Sequence, residues 1–161
     1  MKKLVMISLA FLMISLTGCG SVYSGKMYEH SAQSADPTLT FSSDYGYYTK
    51  FWINSDAPAE QRLCKNTDEI GFLLYENSIF LFDKPMTNLS ISVESDKEIT
   101  ITGTTYGDGS SCGPLEKAFT PEKNKNYLIH YEKAGNYCRM NISEKDSDTE
   151  VAARQVASCV K

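Results

Sequence analysis

Between residues 89 and 143 the chain repeatedly alternates apolar and polar side chains. Leu89, Ile91 and Val93 alternate with Ser90 and Ser92, and Ile99 and Ile101 with Thr100 and Thr102. Cys138, Met140 and Ile142 alternate with Arg139, Asn141 and Ser143. Successive side chains of a strand point to opposite faces, so each stretch predicts a half-buried antiparallel strand with one wet face. Residues 47–53 divide in the same way, with Tyr47, Phe51 and Ile53 on one face and Tyr48 and Trp52 on the other. Residues 72–75, 79–82 and 127–131 are more continuously apolar, as central strands are. Turn residues punctuate these stretches at Asp83-Lys84-Pro85, Ser95-Asp96, Gly107-Asp108-Gly109 and Ala134-Gly135-Asn136. About seven short strands at this spacing predict a mainly β protein, an antiparallel β-sandwich, with a small closed barrel as the alternative.

The last residues follow another rhythm. Ser147 and Glu150 have capping-box spacing, and Ala152, Val156, Cys159 and Val160 fall near one helical face. They predict a short C-terminal helix docked on the sandwich by its apolar stripe.

The first residues are different again. Lys2 and Lys3 precede an apolar run over residues 4–16, which ends in Leu16-Thr17-Gly18-Cys19. A basic start and a short apolar run suit a secretory signal and are short for a bilayer span. The Leu-Thr-Gly-Cys run resembles the lipobox of bacterial lipoproteins. The resemblance implies a diacylglyceryl group on the Cys19 thiol, cleavage before Cys19, and acylation of the new N-terminus. Two or three chains on one residue anchor firmly, where a single chain holds marginally. Gly20 follows in place of the Asp that retains such lipoproteins at the inner membrane, which implies lipid anchoring at the outer membrane, facing the periplasm. The expected organisation is a signal peptide over 1–18, a lipidated tether over 19–37, rich in small polar residues, in which residues 22–28 could add an edge strand, and a sandwich domain over 38–161.

Charge and cysteines narrow the picture. The whole chain of 161 residues carries a formal charge of −4. Removing residues 1–18 takes two lysines and no acid, leaving 14 basic against 20 acidic side chains, or −6. An acidic domain is a poor partner for nucleic acid. With Cys19 set aside, Cys64, Cys112, Cys138 and Cys159 remain, an even number that reads as two disulfides in an exported protein. Cys138 with Cys159 and Cys64 with Cys112 are the expected pairs, since Cys138 faces inward where the terminal helix docks and the other two fall in loops. Scattered cysteines away from His30 and His130 offer no zinc-ligand spacing. Neither a metal nor a cofactor is expected.

One motif invites an enzymatic reading. Gly109-Ser110-Ser111-Cys112-Gly113 fits G-x-S-x-G, the nucleophile elbow of α/β hydrolases. An elbow needs a strand, a tight turn and a helix on a large parallel sheet. Pro121 closes the following segment within two turns, and the surrounding pattern is antiparallel. A surface loop held by oxidised Cys112 is the expectation, and no catalytic residue is assigned. Tyr45, Tyr47, Tyr48 and Trp52 form a candidate aromatic binding platform. The expected function is a non-enzymatic binding or accessory module, held by the membrane through Cys19 and touching an envelope protein. In its lipobox, tether, sandwich and terminal helix the chain resembles the lipoprotein subunit of type VI secretion. The alternative is a surface inhibitor or defence lipoprotein that blocks a foreign hydrolase or phage.

Overall fold

The computed structural model of the chain describes residues 26–44, 48–54, 68–74, 88–107, 110–134 and 137–156. Within them run β1 (Thr38–Ser43), β2 (Tyr48–Asn54), β3 (Asp68–Leu74), β4 (Leu89–Ser92), β5 (Ile99–Gly107), β6 (Ser110–Phe119), β7 (Asn126–Ala134), β8 (Tyr137–Glu144) and β9 (Arg154–Gln155). They build a four-stranded sheet, β4-β1-β7-β8, and a five-stranded sheet, β3-β2-β5-β6-β9. The two sheets pack face to face as the expected β-sandwich. All pairings are antiparallel except β1 with β7, which run parallel. The apolar run at 79–82 lies outside the described residues, as do the lipobox and Cys19. No helix among the described residues is long and apolar enough to cross a membrane.

Alternation sends one set of side chains inward from each sheet. Leu39, Phe41, Ile129, Tyr131, Met140 and Ile142 come from the four-stranded sheet, each at most 1% exposed. Phe51, Ile53, Ile99, Ile101 and Phe119 face them from the other sheet. Aromatic pairs cross the interface, with Phe41 and Phe51 ring centroids 4.8 Å apart and Phe119 edge-on to Tyr127 at 5.2 Å. Burying each such side chain contributes roughly 1.5–3 kcal/mol relative to leaving it in water. The Tyr131 ring needs an empty place opposite, and Gly103 provides it: a Cβ there would lie 2.8 Å from the ring. The Tyr131 hydroxyl then donates to the Cys112 carbonyl across the sandwich at 2.8 Å.

Four expectations are corrected. First, the segment around Cys112 is strand, not loop. Beyond residues 108–109, which are not described, β6 pairs with β5 from Ser110↔Gly107 to Phe119↔Ile99, with a register shift between Gly103 and Thr105. Gly113, at φ 106°, carries the backbone through this irregularity. Second, Cys112 is bonded to Cys138, with the Cα atoms 6.1 Å apart, which excludes both expected pairings. β6 and β8 belong to opposite sheets, so the bridge ties the sheets together near the two hairpin turns. Cys64 and Cys159 lie outside the described residues. Third, the expected helix is not formed over 147–156; residues 157–161 are not described. The backbone there spends its hydrogen bonds on the sheets. Val151 N–H donates to Ile142 O, Val156 N–H donates to Glu116 O, and β9 pairs with β6. The Ser147 hydroxyl, expected as a cap, lies instead 2.9 Å from Thr149 Oγ1 and 3.3 Å from Glu144 Oε2. Fourth, the supposed wet face of β5 is buried: Thr100, Thr102 and Thr104 are 2–4% exposed.

The stretch before β1, expected as tether, is docked from Lys26 onward. Glu69 N–H donates to Lys26 O and Tyr28 N–H donates to Glu69 O, setting Met27 beside β3. Asp36 accepts from Gln33 N–H at 2.7 Å and lies 2.8 Å from His30 Nε2. These contacts, the Gln33 backbone first, hold the Asp36 carboxyl below the usual carboxylate range.

Candidate functional site

The outer face of the four-stranded sheet brings a histidine, two carboxylates and a serine together. This follows from register. Parallel pairing sets Ser42 beside His130, and antiparallel pairing sets His130 beside Asn141 and Glu132 beside Arg139. All project from the face opposite the core, because their neighbours Phe41, Ile129, Tyr131, Met140 and Ile142 point inward. Asp44 follows the end of β1, where its N–H donates to Tyr131 O at 3.0 Å.

The His130 ring is held at both nitrogens. Nδ1 lies 2.8 Å from Ser42 Oγ, and Nε2 lies 3.2 Å from Asp44 Oδ2. Glu132 stands two residues along β7 on the same face. Its Oε1 accepts from Asn141 Nδ2 at 3.0 Å, with Arg139 Nε at 3.5 Å. Asp44, His130 and Glu132 each offer a ligand atom within 4.8 Å of the others. Sequence spacing missed this group because Ser42 and Asp44 lie 88 and 86 residues from His130. The signal available was weak: His130 and Glu132 alternate on one face of β7, while Ser42 and Asp44 alternate on one face of β1.

Serine, histidine and aspartate side by side raise acyl transfer again. On a regular strand pair, however, backbone N–H groups lie in the sheet plane and are committed to ladder bonds. They do not point at a carbonyl placed above Ser42, as an oxyanion hole requires. The arrangement suits holding a cation or a polar group better than attacking a carbonyl. Ser111, the centre of the apparent elbow motif, is exposed on the five-stranded sheet opposite Tyr106, whereas His130 lies on the other sheet. The fold does not assemble an elbow triad from them.

The aromatic platform is partly visible. Tyr45 and Tyr47 lie outside the described residues. Tyr48 and Trp52 do share the outer face of β2, but they differ in environment. Trp52 is 2% exposed, with the Lys50 ammonium 5.2 Å from its ring centroid. Tyr48 packs 5.2 Å from Phe72 and 6.0 Å from Tyr106. Tyr106 is 47% exposed and Tyr137, the first residue of β8, is 61% exposed. Both tyrosines belong to the end of the sandwich that the Cys112–Cys138 bridge fastens.

The opposite end holds an open cleft of about 410 Å³ over Phe119 and Tyr127, rimmed by Glu98, Glu122, Glu144 and Glu150. Its charges are largely paired. Lys125 bonds Glu144 and Glu122, and these bonds raise the lysine pKa and, from the partner's side, lower that of Glu144. Arg154 reaches Glu98 at 3.2 Å. No protein-family model, no curated protein and no solved structure matches the chain.

Proposed function

We propose that the chain is a lipid-anchored binding module of the bacterial envelope. Cys19 carries the anchor at the outer membrane, the sandwich faces the periplasm, and the domain acts by contact with an envelope protein rather than by catalysis. The lipobox Leu16-Thr17-Gly18-Cys19 is the observation that carries this reading. The Cys112–Cys138 bridge agrees with it, since disulfides persist in exported proteins and are rare in reducing compartments. Tyr106 and Tyr137 at the bridged end supply the contact surface. Tyrosine is enriched at protein interfaces because it offers a large rigid ring with a polar tip. The bridge fixes β8, which carries Tyr137, to β6, which pairs with the strand of Tyr106, so little ordering is needed on binding.

The test is photo-crosslinking in living cells from positions 106 and 137, with the intact mass of the membrane-extracted protein measured in parallel. The expected result is a triacylated or diacylated Cys19 and one dominant envelope protein cross-linked from both positions. An unmodified Cys19 would remove the anchor. A lipidated protein with no envelope cross-link would remove the accessory role and favour the inhibitor reading, with foreign hydrolases and phage as the next targets.

A further inference from the structure

We propose that Asp44, His130 and Glu132 form a binding site for a first-row divalent transition metal ion of the zinc type on the outer face of the four-stranded sheet. The donor set is one imidazole nitrogen and two carboxylates, all within 4.8 Å of one another. Imidazole with carboxylate suits zinc and its neighbours, whereas calcium and magnesium prefer oxygen alone. The two carboxylates balance the charge of the ion.

What distinguishes this group from a chance meeting of surface charges is the support behind each ligand. Metal-bound histidine donates its other ring N–H to an oxygen that fixes tautomer and ring orientation. Ser42 Oγ, 2.8 Å from Nδ1, is that oxygen, and it leaves Nε2 turned to Asp44. Glu132 is steadied in the same manner. Asn141 Nδ2 and Arg139 Nε both approach Oε1, which fixes the carboxylate through one oxygen and leaves the other to an ion. The supporting groups stand on β1 and β8, on either side of the strand that carries two of the ligands. The whole site therefore rests on three adjacent strands, a rigid base for ligand geometry. On binding, the ring proton leaves Nε2 through water and is taken up at Nδ1, which donates a hydrogen bond to Ser42 Oγ, while Nε2 and Asp44 Oδ2 exchange their contact with each other for the ion. Three protein ligands leave open positions toward solvent, to be filled by water or by an acidic side chain from outside.

The test is a titration of chelator-stripped, detergent-extracted full-length protein with zinc chloride alone, by calorimetry and by NMR of the histidine rings. One zinc per chain is expected, with the His130 ring settled as the tautomer protonated at Nδ1. His130→Gln and Asp44→Asn abolish the binding, and Ser42→Ala weakens it about 10- to 100-fold. Asp44 is exposed at the end of β1, so Asp44→Asn stays folded even where a strand substitution does not. Absence of saturable binding overturns the proposal. So does zinc binding that Asp44→Asn and His130→Gln leave unchanged, which would point to His30 and Asp36. Equal affinity for calcium overturns it too, because the imidazole would then have no part.

Discussion

The two sheets present their outer faces to different surroundings. On the four-stranded sheet Thr40, Ser42, Asn141 and Ser143 are partly exposed and Ser90 is exposed. On the five-stranded sheet the corresponding layer is Trp52, Asn54, Thr100, Thr102, Thr104 and Glu116, all between 2% and 4% exposed. In sequence the two layers look alike, small hydroxyls alternating with aliphatic residues. Alternation states that the faces of a strand differ, and it does not state what each face meets. A threonine fits a pleated surface equally well in water or beneath other chain. The buried layer must satisfy its polar groups internally and is intolerant of new charge. The exposed layer is free to carry His130 and its carboxylates.

A charge placed on each face tests this contrast most severely. Thr102→Asp is expected to destabilise the protein by more than about 3 kcal/mol, because an unpaired carboxylate would be buried. Thr40→Asp on the other sheet is expected to stay within about 0.5 kcal/mol, as exposed substitutions do. Urea unfolding of both variants decides it, and equal losses would break the comparison.

The link between the sheets comes next in size. Replacing Cys112 and Cys138 together by alanine should cost about 2–4 kcal/mol. Peptide mapping without reduction should recover Cys112 joined to Cys138, and Cys64 with Cys159 as the remaining pair. Gly103→Ala sharpens the view from inside the sandwich. It forces the Tyr131 ring to move and is expected to cost about 1–3 kcal/mol in thermal melts.

Glu116 gives the smallest and most diagnostic effect. Burial raises its carboxyl above the usual range, with a hydrogen bond to Thr102 pulling the other way. A raised folded pKa contributes stability that is complete below the unfolded pKa and is lost as pH rises through the folded value. Glu116→Gln should therefore gain on the parent as pH goes from acid to neutral. Parallel slopes of stability against pH would show that the buried layer already accommodates the charge.

Strands with unbroken alternation were legible, and β2, β4, β5 and β8 fall where the pattern puts them, as β7 does at its continuous apolar run. β6 was hidden because Gly113-Pro114 and the register shift opposite Gly103 break its period, and because Glu116 and Lys117 make it look solvated. β1 offers only Leu39 and Phe41 before its inward position passes to Ser43, whose hydroxyl bonds Thr49 across the core at 2.7 Å. The residues before β9 fit a helical stripe and an extended edge equally well, and pairing with β6 decides between them. The disulfide and the His130 group depend on which strands become neighbours. That is a property of the folded topology, and no local pattern encodes it.

The parallel pairing of β1 with β7 also bears on how the protein comes into being. Phe41 lies beside Ile129, so the first strand of the domain receives one of its two neighbours only after most of the chain has followed it. In a polypeptide made from its N-terminus, Leu39 and Phe41 emerge early and wait. Contacts so distant along the chain close late and fold slowly. Until they close, β1 is a sticky segment, open to association with other chains. A nascent chain stopped before Asn126 would leave the β7 edge of β1 without cover.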